Sequence, residues 1–348
     1  MTVYAPQTTG ADGLPRVLGE LREVTEPAIR ETVSRLHLGL ERVESYHRGW
    51  TNVDGEPSGR PGGKAVRPAL AMLSSRAVEG PDEYGIASAV AVELVHDFSL
   101  LHDDLMDGDT RRRHRPTAWV AYGAGAAIIS GDALLALAID RVLESGSAHT
   151  LEGLRFMNRR VGELIEGQAL DLEFETRRDV TLDDCRRMAA GKTASLLECA
   201  SALGAILSGA PDDQVQLLRG YGQELGMAFQ LVDDSIGIWG DSTVTGKPVL
   251  GDLRSRKKTL PITAALESGS GGLDALRSVM FGDGPEPPED LLEAAANELS
   301  AAGFHKWVLD EARSHLSRAE HHVETLRAPD PVKADLVELA HFVTFRQL

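Results

Sequence analysis

The chain has 348 residues, of which 42% are hydrophobic, so it can form one large domain or two ordinary ones with a sizeable core. Its formal net charge of −17 argues against nucleic-acid binding, because a phosphate backbone requires a basic surface. The two cysteines, Cys185 and Cys199, are too few for a disulfide framework and are expected in the core of a cytoplasmic protein. The N-terminus does not resemble a signal peptide. The longest charge-free stretch, Pro116 to Gly131, is short and interrupted by glycines, so we expect no stable membrane insertion.

Helical periodicity dominates the sequence, and no run alternates convincingly as a β-strand does. Residues 1–15 are expected to form a loose tail, followed by a helical region to about Gly49 and a Gly/Pro-rich loop from Asp54 to Gly63. From Lys64 onward the composition predicts long helices rich in Ala, Leu and Val. Their expected breaks are Gly80-Pro81, Gly108, Gly123 to Gly131, and Gly146.

Further helix boundaries are predicted in the second half. Thr181 followed by Asp184 is typical of a helix N-terminus. Ala210-Pro211 indicates the start of a helix that runs to about Trp239, and Ser268 to Asp290 has the composition of a surface loop. Because no segment resembles an interdomain linker, residues 1–348 are predicted to form a single all-α domain.

The first acidic cluster lies where an apolar helix is expected to end. Asp103 and Asp107 are four residues apart, so they share one helix face about a turn apart, with Asp104 beside them. Like charges at this spacing destabilise a helix unless a cation lies between them, and the helix dipole disfavours carboxylates near Gly108. Mg²⁺ binds through one or two carboxylates plus substrate phosphates, which this arrangement could supply. An exposed acidic helix end explains the cluster equally well at this point.

Basic residues follow each of two acidic clusters. Arg111 to Arg115 comes directly after the first, and its guanidiniums could bind diphosphate oxygens or merely balance the nearby aspartates. The second cluster, Asp233-Asp234, shares a helical stripe with Gln230 and is followed by Lys247 and by the cations at 254–258. A metal between two facing helices and a diphosphate would use both sets.

Several motifs resemble those of the trans-polyprenyl diphosphate synthases, in the order that family has them. Two are aspartate-rich, namely Leu101 to Asp107 with Arg112 to Thr117 after it, and Phe229 to Asp234. The others are Gly63 to Pro68, Gly167 to Asp171, Lys192 to Ala194, and Gly246 to Val249. The resemblance covers roughly Lys64 to Pro261. It implies the isoprenoid synthase fold, an all-α bundle of long helices around a deep central cavity.

The resemblance also implies the substrates and the residues that bind them. It implies isopentenyl diphosphate and an allylic diphosphate as substrates, about three Mg²⁺ ions, and a homodimer. The implied metal ligands are Asp103, Asp107 and Asp233, and the implied catalytic set adds Asp104, Lys192 and Lys247 to them. Residues that match the allylic diphosphate pocket are Arg112, Lys192, Thr193, Gln230, Asp234, Lys247 and Lys258, and the family places Gln168 and Asp171 at the pocket wall. Residues that match the isopentenyl diphosphate site are Lys64, Arg67, His96 and Arg113.

Two positions depart from the family pattern. Gly237 replaces the third aspartate of the second motif, with Asp241 one helical turn further on, and His114 stands where the family usually has glycine. We expect weaker but surviving metal binding.

Product length is expected to depend on what blocks the hydrocarbon tunnel. Ser99 lies one turn before Asp103 and is too small to form a floor, whereas Phe98 lies five residues before it, about 7.5 Å along the helix axis. An aromatic residue there with a small neighbour resembles geranylgeranyl diphosphate synthases, so a C20 product is predicted.

Two other functions are compatible with parts of this pattern. A class I terpene cyclase of the same fold would ionise a single substrate, and the missing carboxylate at Gly237 favours it. Such a cyclase has no use for the isopentenyl diphosphate residues, Lys64 among them. A regulatory subunit of a heteromeric synthase would be expected to lose an aspartate of the first motif, which is complete here.

Overall fold

A computed structural model describes residues 14–58, 63–240, 250–282, 284 and 286–345. The helices of the first half are α1 (Arg16–Val33), α2 (Leu38–His47), α3 (Val66–Arg76), α4 (Asp82–Met106), α5 (Ala118–Tyr122), α6 (Ala124–Leu143) and α7 (Thr150–Thr176). Those of the second half are α8 (Leu182–Ala189), a π-helix (Ala190–Ala194), α9 (Ser195–Leu207), α10 (Asp212–Trp239), α11 (Gly251–Arg254), α12 (Leu260–Glu267), α13 (Asp274–Phe281), α14 (Glu289–Ala301), α15 (Phe304–Thr325) and α16 (Asp330–Phe345). The predicted all-α class is therefore confirmed.

Residue contacts divide the described chain into two compact units. Unit 1 takes its described residues from Met1–Val161, Leu196–Gly220 and His322–Leu339. Unit 2 takes its described residues from Gly162–Ser195, Tyr221–His321 and Ala340–Leu348. The organisation as a single domain stays a prediction.

Helix α4 forms the centre of unit 1 and carries the first acidic cluster at its C-terminal end. More than half of its residues are buried, and it packs most extensively against α6 and α3. By length and composition α4 could also cross a membrane, but 72% of its apolar window is buried inside the protein. Asp82 and Glu83 in its first turn stabilise the N-terminal end of the helix dipole.

Unit 2 contains α10 from Tyr221 onward, α11 to α14, and α15 up to His321. The side chains of Ile238, Leu253, Ile262 and Leu276 are buried together in one of its cores. Helix α8 begins with the predicted cap: Asp184 N–H donates to Thr181 Oγ1 and Thr181 N–H donates to Asp184 Oδ2, each at 3.1 Å.

Three expectations about local structure were wrong. Arg111–Arg112 and Arg115–Pro116 form a two-stranded antiparallel hairpin, β1 and β2, where no strand was expected. The loop expected from Ser268 to Asp290 contains α13, whose Leu276, Val279 and Met280 are buried at helical spacing. The break expected from Gly123 to Gly131 is confined to Gly123, with a φ of 90°, and α6 continues through Gly131.

Candidate active site

The first acidic cluster lies on the last turn of α4, in unit 1. The helix ends at Met106, and Asp107 caps it with its N–H donating to Asp103 O at 2.9 Å. Helical geometry therefore persists to Asp107, and the Asp103 and Asp107 carboxylates leave the same face of α4 one turn apart. Both lie where the helix dipole disfavours negative charge, which favours a bound cation.

Asp104 is rotated about 100° from this face and binds a basic side chain instead of facing a cation site. It is buried, and Arg112 Nε on strand β1 donates to its Oδ1 at 2.6 Å. Burial raises the pKa of Asp104 to about 6, against the opposing charge of Arg112. Its Oδ2 has no hydrogen-bond partner among the described residues. Asp104 therefore fixes Arg112 beside the Asp103–Asp107 face.

The arginine hairpin turns sharply at Arg113 and His114, which have φ angles of 51° and 63°. A two-residue turn with both φ values positive matches the twist of a hairpin but suits glycine or asparagine better than these residues. The hairpin is anchored by Arg115, which donates to the carbonyls of Tyr46 and Thr51 at 3.2 and 2.9 Å. His114 therefore accepts a strained conformation where the family usually has glycine.

A cavity of about 210 Å³ lies between this hairpin and α2. Basic side chains dominate its polar wall. The residues lining it are Tyr46, His47, Arg48, Gly49, Asp104, Arg112, Arg113, Arg115, Pro116, Thr117 and Ala118.

Two of the residues predicted for isopentenyl diphosphate are in contact. Arg67 Nη1 lies 3.3 Å from His96 Nε2, and His96 is largely shielded from solvent. Burial, then the positive charges of Arg67 and Arg113, lower the pKa of His96 well below its usual value, so the imidazole is neutral. Lys64, two residues before α3, is exposed. A neutral imidazole can donate a hydrogen bond to a phosphate oxygen, and it does not repel the guanidiniums that bind the same phosphate.

Unit 2 builds its polar network by bringing helices unusually close together. A Cβ at Gly167 would lie 2.1 Å from Lys192 N, and a Cβ at Gly226 would lie 2.4 Å from Ala194 Cα. Only glycine permits these approaches of backbone to backbone. The segment so held is the π-helix containing Lys192 and Thr193, an insertion that often marks a functional site.

Lys192 and Lys257 converge on one carboxylate. Their Nζ atoms lie 2.6 and 3.3 Å from Asp171 Oδ2. Burial alone raises the pKa of Asp171, but Lys257 and Lys192 bring it below its usual value. The sequence predicted Lys192 and Asp171 for this pocket and missed Lys257, choosing the adjacent Lys258 instead.

A second chain of contacts runs through Asp234. Thr193 Oγ1 donates to Gln230 Oε1 at 2.5 Å, and Gln230 Nε2 donates to Asp234 Oδ1 at 2.7 Å. Asp234 Oδ2 accepts the N–H of Leu260, the first residue of α12, at 3.0 Å. Burial, followed by the charge of Asp252, raises the pKa of Asp234 to about 7. Asp234 therefore orients Gln230, while Asp233, half-buried on the same helix, lies on another face.

Two predicted lysines are not in this network as described. Lys258 Nζ donates to Glu175 O at 3.1 Å and lines a groove of about 260 Å³ with Arg178 and Arg277. Lys247 lies outside the described residues, as does Asp241.

The two chain-length residues leave α4 on neighbouring faces. Phe98 is buried and makes an edge-to-face contact with His102 at 4.9 Å between ring centroids. Ser99, on the face of Asp103, is half-buried and donates its hydroxyl to His96 O at 2.7 Å.

Known proteins match this chain over most of its length. The family profile described as polyprenyl synthetase matches residues 57–298. A (2E,6E)-farnesyl diphosphate synthase of Mycobacterium tuberculosis is 44% identical over 95% of this chain and 93% of its own. A geranylgeranyl diphosphate synthase of the same organism is 39% identical over 92% and 91%. The crystal structure of a polyprenyl synthetase from Streptomyces coelicolor superimposes with a TM-score of 0.87 and 42% identity, covering 94% of this chain and 98% of that one. The chain therefore belongs to the polyprenyl synthetase family of prenyltransferases.

Proposed function

We propose that this enzyme condenses isopentenyl diphosphate with an allylic diphosphate and releases geranylgeranyl diphosphate, a C20 product. One observation carries the proposal: unit 1 holds a pair of carboxylates on one helix face and a separate pair formed by an arginine and a histidine. Asp103 and Asp107 share one face of α4, whereas Arg67 pairs with the neutral His96. A substrate that loses its diphosphate needs the first set, and one that keeps its diphosphate needs the second.

Magnesium fits the chemistry of the carboxylate set. In the part of the chain that the structure describes, no three His, Cys, Asp or Glu side chains could hold a metal by themselves. Mg²⁺ usually needs only one or two carboxylates, since it takes its other ligands from water and substrate phosphates. We propose Asp103, Asp107 and Asp233 as ligands of about three ions, and members of the family generally depend on this metal.

The protein's own residues would prepare the reaction. Arg112, fixed by Asp104, and Lys192, held by Asp171, would bind the leaving diphosphate together with Lys247. Lys257, which shares Asp171 with Lys192, would take the role that the family resemblance gives to Lys258. Bound Mg²⁺ would add positive charge that stabilises the pyrophosphate as it departs. As the allylic C–O bond breaks, the isopentenyl double bond forms the new C–C bond, and the proton lost passes to the released diphosphate. No protein base is required.

The C20 product is supported by the faces of α4. Ser99, the residue one turn before Asp103, presents only a hydroxyl that its own helix backbone already binds. The face of α4 directly below Asp103 therefore carries a small side chain, which would admit a growing chain. Phe98, five residues before Asp103, is buried against His102, and its ring would limit the growing chain at C20. Relatives of both C15 and C20 specificity resemble the chain at 44% and 39% identity, so their names do not decide between the products.

The proposal includes a homodimer in the cytoplasm. Helix α6 exposes Ile128 and Ile129, whose side chains are 42% and 58% accessible, and Leu143, which is 51% accessible. Large apolar side chains on one helix favour a subunit contact. Light scattering of the purified protein should give twice the chain mass, and a monomer at micromolar concentration contradicts this part of the proposal.

The test is a condensation assay with purified protein. Isopentenyl diphosphate is combined in turn with C5, C10 and C15 allylic diphosphates, with Mg²⁺ or with EDTA, and the dephosphorylated products are separated by chromatography. We expect a C20 alcohol only with Mg²⁺, its loss in Asp103→Asn, and its retention in Asp290→Asn, on an exposed helix start. A cyclic hydrocarbon formed without isopentenyl diphosphate supports a terpene cyclase, and a C15 limit refutes the product length.

A further inference from the structure

A second acidic face of α4 lies beside the one that carries Asp103. Glu93, Asp97 and Asp104 recur at helical spacing and are all buried. Arg112 pairs with the last of these, and the first two are occupied by Arg48, the residue that ends α2.

Asp97 is bound by the residue that follows α2. Its Oδ2 accepts a short hydrogen bond from Arg48 Nη1, and its Oδ1 lies 3.9 Å from His47 Nε2. Arg48 Nη2 also donates to Glu93 Oε1 at 3.2 Å. The side chains of Arg48 and Asp97 are each only 7% exposed, so this ion pair is shielded from solvent. Breaking a buried pair by removing one partner leaves a costly uncompensated charge, which must find another partner.

A candidate for that role is Arg113 in the hairpin. Arg113 and Arg48 line the same cavity, in which Arg112 is already held by Asp104 and Arg115 by two backbone carbonyls. Arg113 is exposed at the tip of the hairpin, and its Nη2 lies only 3.2 Å from where a Cβ of Gly63 would be. Although desolvation by the surrounding protein lowers the pKa of Arg113, the negative charge of Asp97 is the largest effect that opposes this shift.

We propose that Arg48 is a positioning residue, which occupies Asp97 and thereby keeps the Arg113 guanidinium available to the diphosphate of isopentenyl diphosphate. The inference rests on the proposed function, because it takes Arg113 as a ligand of that substrate. Arg48 itself need not touch the substrate. Its guanidinium is buried against Asp97 and Glu93. Because it neutralises these carboxylates, Arg113 does not form an ion pair with them.

The test compares three variants of the whole protein. Arg48→Met removes the charge and keeps an unbranched apolar stem, Asp97→Asn removes the competing carboxylate, and the double variant removes both. In Arg48→Met we expect the KM for isopentenyl diphosphate to rise about tenfold, as for loss of one charged contact, with kcat and the allylic KM changed less than about twofold. In Asp97→Asn the KM should stay within about twofold of wild type. In the double variant the rise should be clearly smaller than in Arg48→Met, because only the weaker attraction of Glu93 for Arg113 remains.

Calorimetric titration with isopentenyl diphosphate in EDTA gives a readout independent of turnover. A folded Arg48→Met enzyme that binds as tightly as wild type overturns the inference. If that variant does not fold, the double variant decides: a tenfold loss there means that Arg48 binds the diphosphate directly, which also overturns it. A wild-type protein that neither binds nor consumes isopentenyl diphosphate refutes the proposed function, and the inference with it.

Discussion

In unit 2, the carboxylate of Asp252 occupies the space that a side chain at Gly237 would need. A Cβ at Gly237 would lie 2.0 Å from Asp252 Oδ2 and 2.8 Å from its Oδ1. Gly237 is where the second aspartate-rich motif lacks its third acid. A carboxylate from α11 therefore reaches the backbone of α10 at the position where the missing side chain would begin.

This relationship predicts that restoring the family residue alone is harmful. Gly237→Asp would force its side chain onto the Asp252 carboxylate, adding overlap and like-charge repulsion next to the buried Asp234. We expect a loss of about 1–3 kcal/mol in unfolding free energy and a higher Mg²⁺ requirement. The double variant Gly237→Asp/Asp252→Gly exchanges the two positions and should recover most of both properties. Denaturant unfolding and Mg²⁺ titration of activity measure the effects, and a single variant that matches wild type contradicts the relationship.

Adjacent lysines should differ in their effect on the allylic substrate. Lys257 shares Asp171 with Lys192, whereas Lys258 donates to Glu175 O and lines a separate groove. Lys257→Ala should raise the KM for the allylic diphosphate about tenfold or more, the effect of losing one charge-assisted contact. Lys258→Ala should have a clearly smaller effect. Steady-state kinetics with isopentenyl diphosphate held saturating decides, and the reverse order would return the role to Lys258.

The sequence predicted the elements with strong local signals. The capped start of α8 at Thr181 and the long α10 to Trp239 follow from side chains close together in the chain. Helix α13 was missed because glycine, proline and serine around it outweighed three buried apolar residues. The continuation of α6 through Gly131 was missed because this glycine makes room for His102 on a neighbouring helix. His102 is distant in sequence, so local patterns do not reveal the contact.

Site residues that are close in sequence could also be predicted, whereas those that meet only through packing could not. The spacing of Asp103 and Asp107 was enough to place them on one face. Arg48 and Asp97 drew no attention because they are 49 residues apart and meet only through the packing of α2 on α4. Lys257 was missed because it is adjacent to Lys258. The two side chains point in different directions, and sequence spacing alone does not show which one faces Asp171.

His47 should make the fold sensitive to mild acid. Burial lowers the pKa of His47 to about 4 from its usual 6.5, although Asp97 opposes the shift. Because the unfolded state takes up its proton first, stability is fully present above pH 6.5 and is lost as pH falls toward 4. The loss is about 3 kcal/mol. In His47→Gln the urea-unfolding free energy should fall less over this range than in wild type, whereas parallel profiles would show that another group is responsible.

Phe98 and Ser99 should shift product length in opposite directions. Phe98→Ala opens volume beside His102 and should add products longer than C20, at a cost of about 3–5 kcal/mol in stability. Ser99→Phe places a ring on the face of Asp103 and should shorten the main product to C15. Chromatography of dephosphorylated products measures both. An unchanged distribution in both variants would mean that α4 does not bound the hydrocarbon.

Gly131 and Gly125 lie on the same helix, α6, but only Gly131 closely approaches another side chain. A Cβ at Gly131 would lie 2.4 Å from His102 Nε2, and this imidazole lies 3.0 Å from Ile128 O and contacts the Phe98 ring. Gly131→Ala must therefore displace His102 and disturb Phe98, so we expect a loss of about 1–3 kcal/mol despite the better helix propensity of alanine. At Gly125 nothing lies within 4 Å of the added Cβ, so Gly125→Ala should be neutral or slightly stabilising. Thermal unfolding of the two variants separates propensity from contact. If both are stabilised alike, His102 moves freely and does not fix the position of Phe98.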